Sequence, residues 1–132
     1  MLRLRKKSKR VTVFGVFDGL HEGHRAFLRQ AKRRGGELIA VVAPDAAVRE
    51  LKKKEPRLSE KERVLALRRS RLADRVILGD KKQGTYRVVQ QYNPELICLG
   101  YDQFQLGRDL KRRMEKGSLL RVRLVRLKRL KE

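Results

Sequence analysis

The sequence predicts an α/β fold, a three-layer sandwich in which helices cover both faces of a five-stranded parallel sheet. Two observations predict it: short apolar runs rich in Val, Ile and Leu recur along the chain, and helical patterns separate them. The length of 132 residues suits a single domain with a buried core. The sequence contains no internal repeat or low-complexity linker, so it predicts no boundary for a second domain.

Four of the predicted strands are continuous apolar runs. They span residues 11–16, 37–43, 74–79 and 95–100. Continuous runs are typical of strands that a parallel sheet buries on both faces. The fifth predicted strand, residues 118–127, alternates apolar residues with arginine, as an edge strand with one solvated face does.

The first helix is predicted over residues 23–34, directly after the first strand. Phe27, Leu28 and Ala31 share one face of this helix, and Arg and Lys residues occupy the opposite face. The Gly35-Gly36 pair is expected to end the helix, because glycine is favoured just beyond a helix C-terminus.

Later helical patterns connect the remaining strands. Ser59 and Glu62 form a predicted capping box ahead of an apolar helical pattern, and a short helix precedes residues 52–56. Another helix is predicted over residues 85–92, where it stops before Pro94. Strands and helices therefore alternate along the chain, starting and ending with a strand.

The chain carries 36 Lys and Arg residues against 15 Asp and Glu residues, a formal net charge of +21. This excess favours anionic partners such as nucleotides, although a generally basic or heat-adapted proteome would also produce it. Residues 1–10 are predicted to be a basic, solvated lead-in to a domain over residues 11–132, rather than a nucleic-acid arm. Because aromatic residues make up only 5% of the chain and Trp is absent, nucleic-acid binding is expected to be weak and nonspecific.

Two features of the sequence predict the cellular location: its single cysteine and the short length of its apolar stretches. Cys98 lies in the apolar stretch LICLG and is interpreted as a structural thiol of a reducing compartment. No stretch approaches the roughly twenty apolar residues of a membrane span. The apolar run after the basic start lacks a small-residue cleavage site, so the sequence does not predict a signal peptide. A cytoplasmic location is predicted instead.

Residues 15–24, GVFDGLHEGH, lie where the first strand ends and the first helix begins. Unpaired N–H groups at a helix N-terminus favour phosphate, and His21 and His24, three residues apart, share one face of the first turn. Two such imidazoles can donate hydrogen bonds to phosphoryl oxygens as negative charge develops. The alternatives are a polar tight turn and a metal-binding pair, but no further ligand completes a zinc set.

A lysine cluster at residues 52–54 follows the second strand and a short helix. In an open α/β sheet, loops at the carboxyl ends of strands surround the ligand crevice. Lys52, Lys53 and Lys54 are therefore candidates for binding a polyphosphate, and a merely solvated loop is the alternative.

The histidine motif resembles that of a known superfamily. His21-Glu22-Gly23-His24 matches the H-x-G-H motif of the nucleotidylyltransferases, and residues 15–24 resemble the longer G-T-F-D-x-x-H-x-G-H form of the small cytidylyl- and adenylyltransferases. The segment SEKERV resembles the family segment whose arginine, here Arg63, approaches the nucleotide phosphates. The segment LGYDQ, residues 99–103, resembles the loop after the fourth strand that lines the base pocket. The similarity covers roughly residues 11–103, and LGYDQ is more similar to archaeal-type FAD synthases than to glycerol-3-phosphate cytidylyltransferases.

This resemblance implies a Rossmann-like sheet with the strand order 3-2-1-4-5. It implies transfer of a nucleoside monophosphate from a nucleoside triphosphate, ATP or CTP, to a phosphorylated acceptor, with release of pyrophosphate. Mg²⁺ is expected to arrive with the nucleotide. Adenylylation of FMN is the expected reaction, and cytidylylation of glycerol 3-phosphate is the alternative.

The resemblance also implies roles for individual residues. The expected catalytic residues are His21, His24 and Arg63, with Asp18 holding its loop in place. Tyr101 and Phe104 are candidates for stacking on a ring or for ordinary packing. The expected nucleotide-binding residues are Gly15, Val16, Phe17, Asp18, Gly23, Lys52, Lys53, Lys54, Leu99, Gly100, Tyr101, Asp102 and Gln103.

Two features depart from the family pattern. Val16 replaces the usual threonine, and the sequence ends in LVRLKRLKE, without the Ser/Thr-rich motif that family members usually carry near the C-terminus. Together with the high charge, the second departure keeps open a non-catalytic nucleotide- or RNA-binding module on the same fold. Both a monomer and a homodimer are compatible with the sequence.

Overall fold

Helices and strands alternate along the part of the chain that the computed structural model describes, residues 9–82 and 84–129. The strands are β1 Lys9–Gly15, β2 Gly36–Val42, β3 Arg75–Leu78, β4 Leu96–Leu99 and β5 Arg123–Arg126. The helices are α1 Glu22–Arg33, α2 Asp45–Lys52, α3 Glu60–Ser70, α4 Arg87–Tyr92 and α5 Phe104–Glu115. The predicted alternation is confirmed, with two helices, α2 and α3, between β2 and β3.

The five strands form one sheet in the order β3-β2-β1-β4-β5, and every neighbouring pair is parallel. This Rossmann-like order confirms the prediction. The chain moves outward from β1 to β3, then crosses back to β4 on the other side of β1. The strand order thus reverses at β1. In open α/β sheets, ligands bind at such a reversal, in a crevice outside the carboxyl ends of the strands.

Side chains of each inner strand alternate between two apolar clusters, one on each face of the sheet. Val11 and Val13 of β1 belong to the cluster that Leu28 of α1 and Leu67 of α3 cover. Phe14 packs against the opposite cluster, which contains residues of α4 and α5. Both faces are apolar because helices cover both, which explains the continuous apolar runs in the sequence.

The fifth strand is shorter than the sequence predicted. It spans Arg123–Arg126 rather than residues 118–127, although its edge position is confirmed. The N–H groups of Ser118 and Leu119 donate to the carbonyl of Arg113, and Leu119 is buried against the α4–α5 face. The first residues of the apolar–arginine pattern therefore close the C-terminal end of α5 instead of extending the sheet.

The predicted boundary at residue 10 also moves. Lys9 and Arg10 belong to β1: the Lys9 N–H donates to the Gly35 carbonyl, and Arg10 pairs with Glu37 at 2.6 Å. The rest of the predicted lead-in, residues 1–8, lies outside the described residues. Within the described ranges, no helix has the length and apolar character needed to cross a bilayer.

Candidate active site

The histidine motif occupies the junction between β1 and α1 at the centre of the crevice. β1 ends at Gly15, and His21 is the N-cap residue of α1. Its Nδ1 accepts a hydrogen bond from the His24 N–H at 3.3 Å, the role that Ser or Asp usually fills at this position. The backbone at the start of the helix therefore orients the His21 ring.

His24 is held by a different backbone group. Its Nδ1 lies 2.9 Å from the Gly19 carbonyl oxygen, so it donates its proton there. The rings of His21 and His24 are stacked, with centroids 3.8 Å apart and an interplanar angle of 16°. Since backbone groups occupy both Nδ1 atoms, each ring keeps only Nε2 for a ligand.

Two glycines of the motif make room for aromatic rings. A Cβ on Gly23 would lie 2.9 Å from Cε1 of His21, and a Cβ on Gly15 would lie 2.8 Å from the ring of Phe17. Phe17 is buried with a φ of 54°, and its ring meets His24 edge-on at 5.6 Å. The absence of side chains at Gly15 and Gly23 therefore allows the rings of Phe17 and His21 to pack around the histidine pair.

The loop after β1 offers unpaired backbone donors. Among the described residues, the N–H groups of Val16 and Phe17 have no protein acceptor, whereas the Val16 carbonyl accepts from Arg63. Free N–H groups at the carboxyl end of a central strand can bind phosphate oxygens. Val16 can therefore contribute a main-chain contact even though it lacks the threonine hydroxyl.

The surroundings of His24 lower its pKa. Burial is the largest cause, and the neighbouring charge of His21 adds to it. Lys52 lowers the pKa further, whereas the bond to Gly19 and the charge of Asp102 raise it. Lys52 of α2 and Asp102, which follows β4, thus influence the pKa of one imidazole, and His24 is neutral near neutral pH.

The carboxylate of Asp18 holds a neighbouring loop at residues 57–58. It accepts from the N–H groups of Arg57 and Leu58 at 2.7 and 2.8 Å. Burial raises the pKa of Asp18, but these hydrogen bonds and the charges of Arg63 and Arg57 outweigh burial, so the pKa lies below its usual value. A stable carboxylate with both oxygens bonded is suited to positioning rather than proton transfer.

The structure corrects the expectation that Arg63 touches phosphate. Its side chain is 0% exposed. The guanidinium donates to the carbonyls of Val16 at 2.9 Å, Ala43 at 2.6 Å and Leu58 at 3.1 Å, and to the Asp45 carboxylate at 2.7 Å. Arg63 joins the ends of β1 and β2 to the start of α3, so it is a positioning residue.

The loop over residues 99–103 also differs from expectation. Leu99 is buried in the core, and both backbone groups of Gly100 are already bonded, the N–H to Gln103 and the carbonyl to Arg126. Gly100 therefore has no free edge with which to bind a base. Gln103 also donates to the Phe14 carbonyl at 2.8 Å, which ties the loop to β1. Of the five residues, Tyr101 and Asp102 have exposed side chains.

The lysine cluster ends α2 beside the crevice. Lys52 is the last helical residue, Lys53 is the left-handed C-cap with φ 56°, and Lys54 follows. All three are exposed, and the positive charge of Lys52 lowers the pKa of His24. The influence of Lys52 on His24 depends on tertiary structure, because the two residues follow different strands.

Sequence reasoning missed Arg126. Its Nη1 donates to the Gly100 carbonyl at 3.0 Å, and its guanidinium lies 4.4 Å from the centroid of the Phe104 ring. The alternation of apolar residues and arginine over residues 118–127 predicted only that Arg126 faces solvent. Its place at the crevice depends on the pairing of β5 with β4, in which Arg126 lies opposite Leu99.

The chain matches the cytidylyltransferase-like family model over residues 12–125. It is 38% identical over 122 residues to the FAD synthase of Thermococcus sibiricus, covering 89% of this chain and 82% of that one. It is 40% identical over 120 residues to the FAD synthase of Aciduliprofundum boonei, covering 91% and 78%. A solved structure described as the lipopolysaccharide core biosynthesis protein of Thermoplasma volcanium superposes with a TM-score of 0.83 at 34% identity, over 95% of this chain and 100% of that one.

These matches extend over nearly the whole described sheet, from β1 to β5, and include the histidine motif and the loop after β4. The predicted resemblance is confirmed. The chain belongs to the cytidylyltransferase-like family of nucleotidyltransferases, among relatives that are FAD synthases.

Proposed function

We propose that this protein transfers the adenylyl group of ATP to FMN and forms FAD and pyrophosphate. An oxygen of the FMN phosphate attacks the α-phosphorus of ATP, the bond from that phosphorus to the β-phosphate oxygen breaks, and pyrophosphate leaves. The similarity to FAD synthases supports this choice of substrates. The geometric observation that carries it is the stacked histidine pair, in which, among the described residues, the two Nε2 atoms are the ring nitrogens without a protein partner.

The two imidazoles have different hydrogen-bonding states before the nucleotide binds. His21 accepts at Nδ1, so its neutral ring carries the proton on Nε2 and can donate to phosphate. His24 donates from Nδ1, so its neutral ring presents a lone pair at Nε2. His24 must gain a proton before both rings can donate to the negative charge that develops on the phosphates.

The remaining residues position the triphosphate. Free N–H groups of Val16 and Phe17 are suited to its oxygens, and Lys52 supplies a positive charge that His24 experiences. Lys53 and Lys54 extend that charge along the same loop. Mg²⁺ arrives as part of the nucleotide substrate and keeps most of its water. Catalysis in this scheme is positioning and charge stabilisation, without a covalent enzyme intermediate.

Paired incubations test the proposal. The protein is incubated with Mg²⁺, ATP and FMN, and separately with Mg²⁺, CTP and glycerol 3-phosphate, and the products are separated by chromatography. FAD with an equal amount of pyrophosphate is the expected result. Product only in the CTP reaction would assign the alternative cytidylyltransferase activity, and nucleotide binding without product in either would assign a binding module.

We also propose that the reaction takes place in the cytoplasm, a reducing compartment in line with the free, buried thiol of Cys98. The net charge of +21 leaves a weak, nonspecific affinity for nucleic acid as a further expectation. Retention of RNA on the protein at low salt and its release at physiological salt would support that expectation, since nonspecific binding depends steeply on ionic strength.

A further inference from the structure

The two edge strands of the sheet differ in how their outer backbone groups are covered. At the end of β3 the Gly79 N–H donates to the Val42 carbonyl of β2. Backbone groups of successive residues alternate between the two sides of a strand, so the Val76 carbonyl points outward. Arg68 of α3 donates to this carbonyl at 3.0 Å. The protein thus covers the β3 edge with a side chain of its own, which blocks pairing with another chain.

The β5 edge is open. Just after this strand the Leu127 N–H donates to the Leu99 carbonyl of β4, so by the same alternation the N–H and carbonyl of Leu124 point away from β4. Within residues 9–82 and 84–129, neither group has a hydrogen-bond partner. An unpaired edge of this kind is a template to which another extended chain can add.

An apolar groove of about 530 Å³ lies beside this open edge, between α5 and the first residues of β5. Met114, Val122 and Leu124 form its floor, and all three pack in the apolar cluster on the α4–α5 face of the sheet. Leu120, which precedes the strand, is 52% exposed. An added strand that paired with Leu124 would place every second side chain over this floor.

The rim of the groove is basic. Lys111 of α5, with Arg121 and Arg123, lines it, and all three side chains are exposed. Among the described residues, no carboxylate pairs with these three cations. Glu115 also lines the groove, so the described lining carries three cationic side chains against one carboxylate. The rim is therefore suited to an occupant that carries negative charge.

We infer that the β5 edge binds an extended acidic segment of another protein, which adds to the sheet as a sixth strand. Alternate apolar side chains of this segment cover Met114, Val122 and Leu124, and its carboxylates face the three cations of the rim. The inference goes beyond the proposed reaction. The groove lies at the amino-terminal end of β5, whereas the histidine pair follows the carboxyl end of β1.

A second copy of this chain is a poorer occupant of the same edge. Each copy has a formal net charge of +21, and two β5 edges in contact would bring Arg121 and Arg123 of both copies together. Like charges directly opposite one another destabilise a pair of strands. Charge complementarity therefore favours an acidic partner over self-association.

Fluorescence anisotropy of labelled octapeptides tests the inference on the full chain. The probe alternates valine and glutamate, a second peptide has lysine in place of glutamate, and a third has proline in place of its central valine–glutamate pair. The glutamate peptide is expected to bind about 10-fold or more tightly than the lysine peptide, because the rim attracts carboxylates and repels ammonium groups. The proline peptide is expected not to bind, because proline lacks the N–H that pairs with the edge.

Two charge reversals locate the binding. Arg123→Glu is expected to weaken the glutamate peptide about 10-fold or more, since an attraction becomes a repulsion. Arg75→Glu is the matched control, because Arg75 is the exposed first residue of the other edge strand and the variant changes the net charge equally. It should keep the affinity within about 2-fold, since salt screens distant surface charges.

The backbone contribution is measured at Leu124. Leu124→Pro removes the outward N–H without breaking a bond of the sheet, so it should abolish binding while thermal melting shows a folded protein. Hydrogen exchange needs no substitution, and the Leu124 N–H of the unmodified protein should exchange about 10-fold or more slowly when the glutamate peptide is bound.

Equal affinities for the glutamate and lysine peptides overturn the inference. Equal losses in Arg123→Glu and Arg75→Glu also overturn it, because they assign the binding to net charge. A dimer in sedimentation experiments that protects the Leu124 N–H from exchange assigns the edge to a second copy and overturns it as well.

Discussion

The imidazole rings of His21 and His24 lie 3.8 Å apart and nearly parallel, and each is bonded through Nδ1 to the backbone of its own motif. At this separation a proton on one ring disfavours a proton on the other. Both Nε2 atoms can therefore donate hydrogen bonds only when a negatively charged ligand compensates the added positive charge on His24. This relationship leads to the first three predictions.

His24→Ala is expected to lower kcat for FAD formation about 100-fold or more, as loss of a transition-state donor does. It also removes the bond to Gly19, so a loss of stability of about 1 kcal/mol is expected. Steady-state kinetics and thermal melting measure the two effects.

Two isosteric variants separate the roles of the ring atoms. The amide of His24→Asn can replace Nδ1 and keep the bond to Gly19, whereas that of His24→Gln reaches the position of Nε2. We expect His24→Asn to be stable and inactive and His24→Gln to keep part of the activity. Full activity in His24→Asn would show that the ring holds the loop and nothing more.

ATP binding is expected to take up a proton. The pKa of His24 lies below its usual value of about 6.5 in the free protein, so the ring is neutral at neutral pH, and a bound triphosphate raises that pKa. Affinity for an ATP analogue should therefore increase as the pH falls from about 8 to about 6. Calorimetry in two buffers of different ionisation enthalpy measures the uptake, and equal binding enthalpies in both would contradict it.

Gly23→Ala is expected to lower kcat without lowering stability. The new Cβ would lie 2.9 Å from the His21 ring and displace it, whereas alanine favours the helix by up to about 1 kcal/mol over glycine. A double-mutant cycle with His21→Ala identifies the cause, since the two losses should not add if Gly23 acts through His21. Additive losses would mean that Gly23 affects kcat through the backbone conformation and not through the His21 ring.

Arg63→Met is expected to destabilise the protein by about 3–5 kcal/mol, because it leaves the Asp45 carboxylate and three carbonyls without their donor. Denaturation in urea measures the loss. Arg69→Met, on an exposed position of the same helix, is the control and should change stability little. Unchanged stability in Arg63→Met together with a raised KM for ATP would show that Arg63 contacts the phosphates directly, as its motif suggested.

Thr12→Val is expected to keep or raise stability, by up to about 1 kcal/mol. The Thr12 hydroxyl is buried in the centre of the sheet, and among the described residues it has no hydrogen-bond partner. Thr85→Val is the control, because that hydroxyl bonds to Asp80 and to the Lys82 carbonyl and its loss should destabilise. A large loss of stability in Thr12→Val would show that its hydroxyl is bonded in solution.

Local patterns in the sequence were sufficient to predict the alternation of strands and helices, the Ser59–Glu62 capping box and the position of residues 15–24 between the first strand and the first helix. These features depend on the spacing of apolar residues and on backbone conformation within one or two turns of the chain. The extent of β5 could not be predicted in the same way. The apolar–arginine pattern does not distinguish a strand from a segment that closes α5, and the bonds of Ser118 and Leu119 to Arg113 decide between them.

The roles of the two key arginines were decided by tertiary structure alone. Arg63 lies in a segment that resembles a family motif and Arg126 does not, yet the sequence alone reveals the contacts of neither guanidinium. Burial among three carbonyls and the Asp45 carboxylate makes Arg63 a structural tie, while pairing of β5 with β4 places Arg126 beside Phe104 with donors to spare. The physical reason is that a guanidinium's partners come from segments distant in sequence, and only the folded sheet brings those segments together.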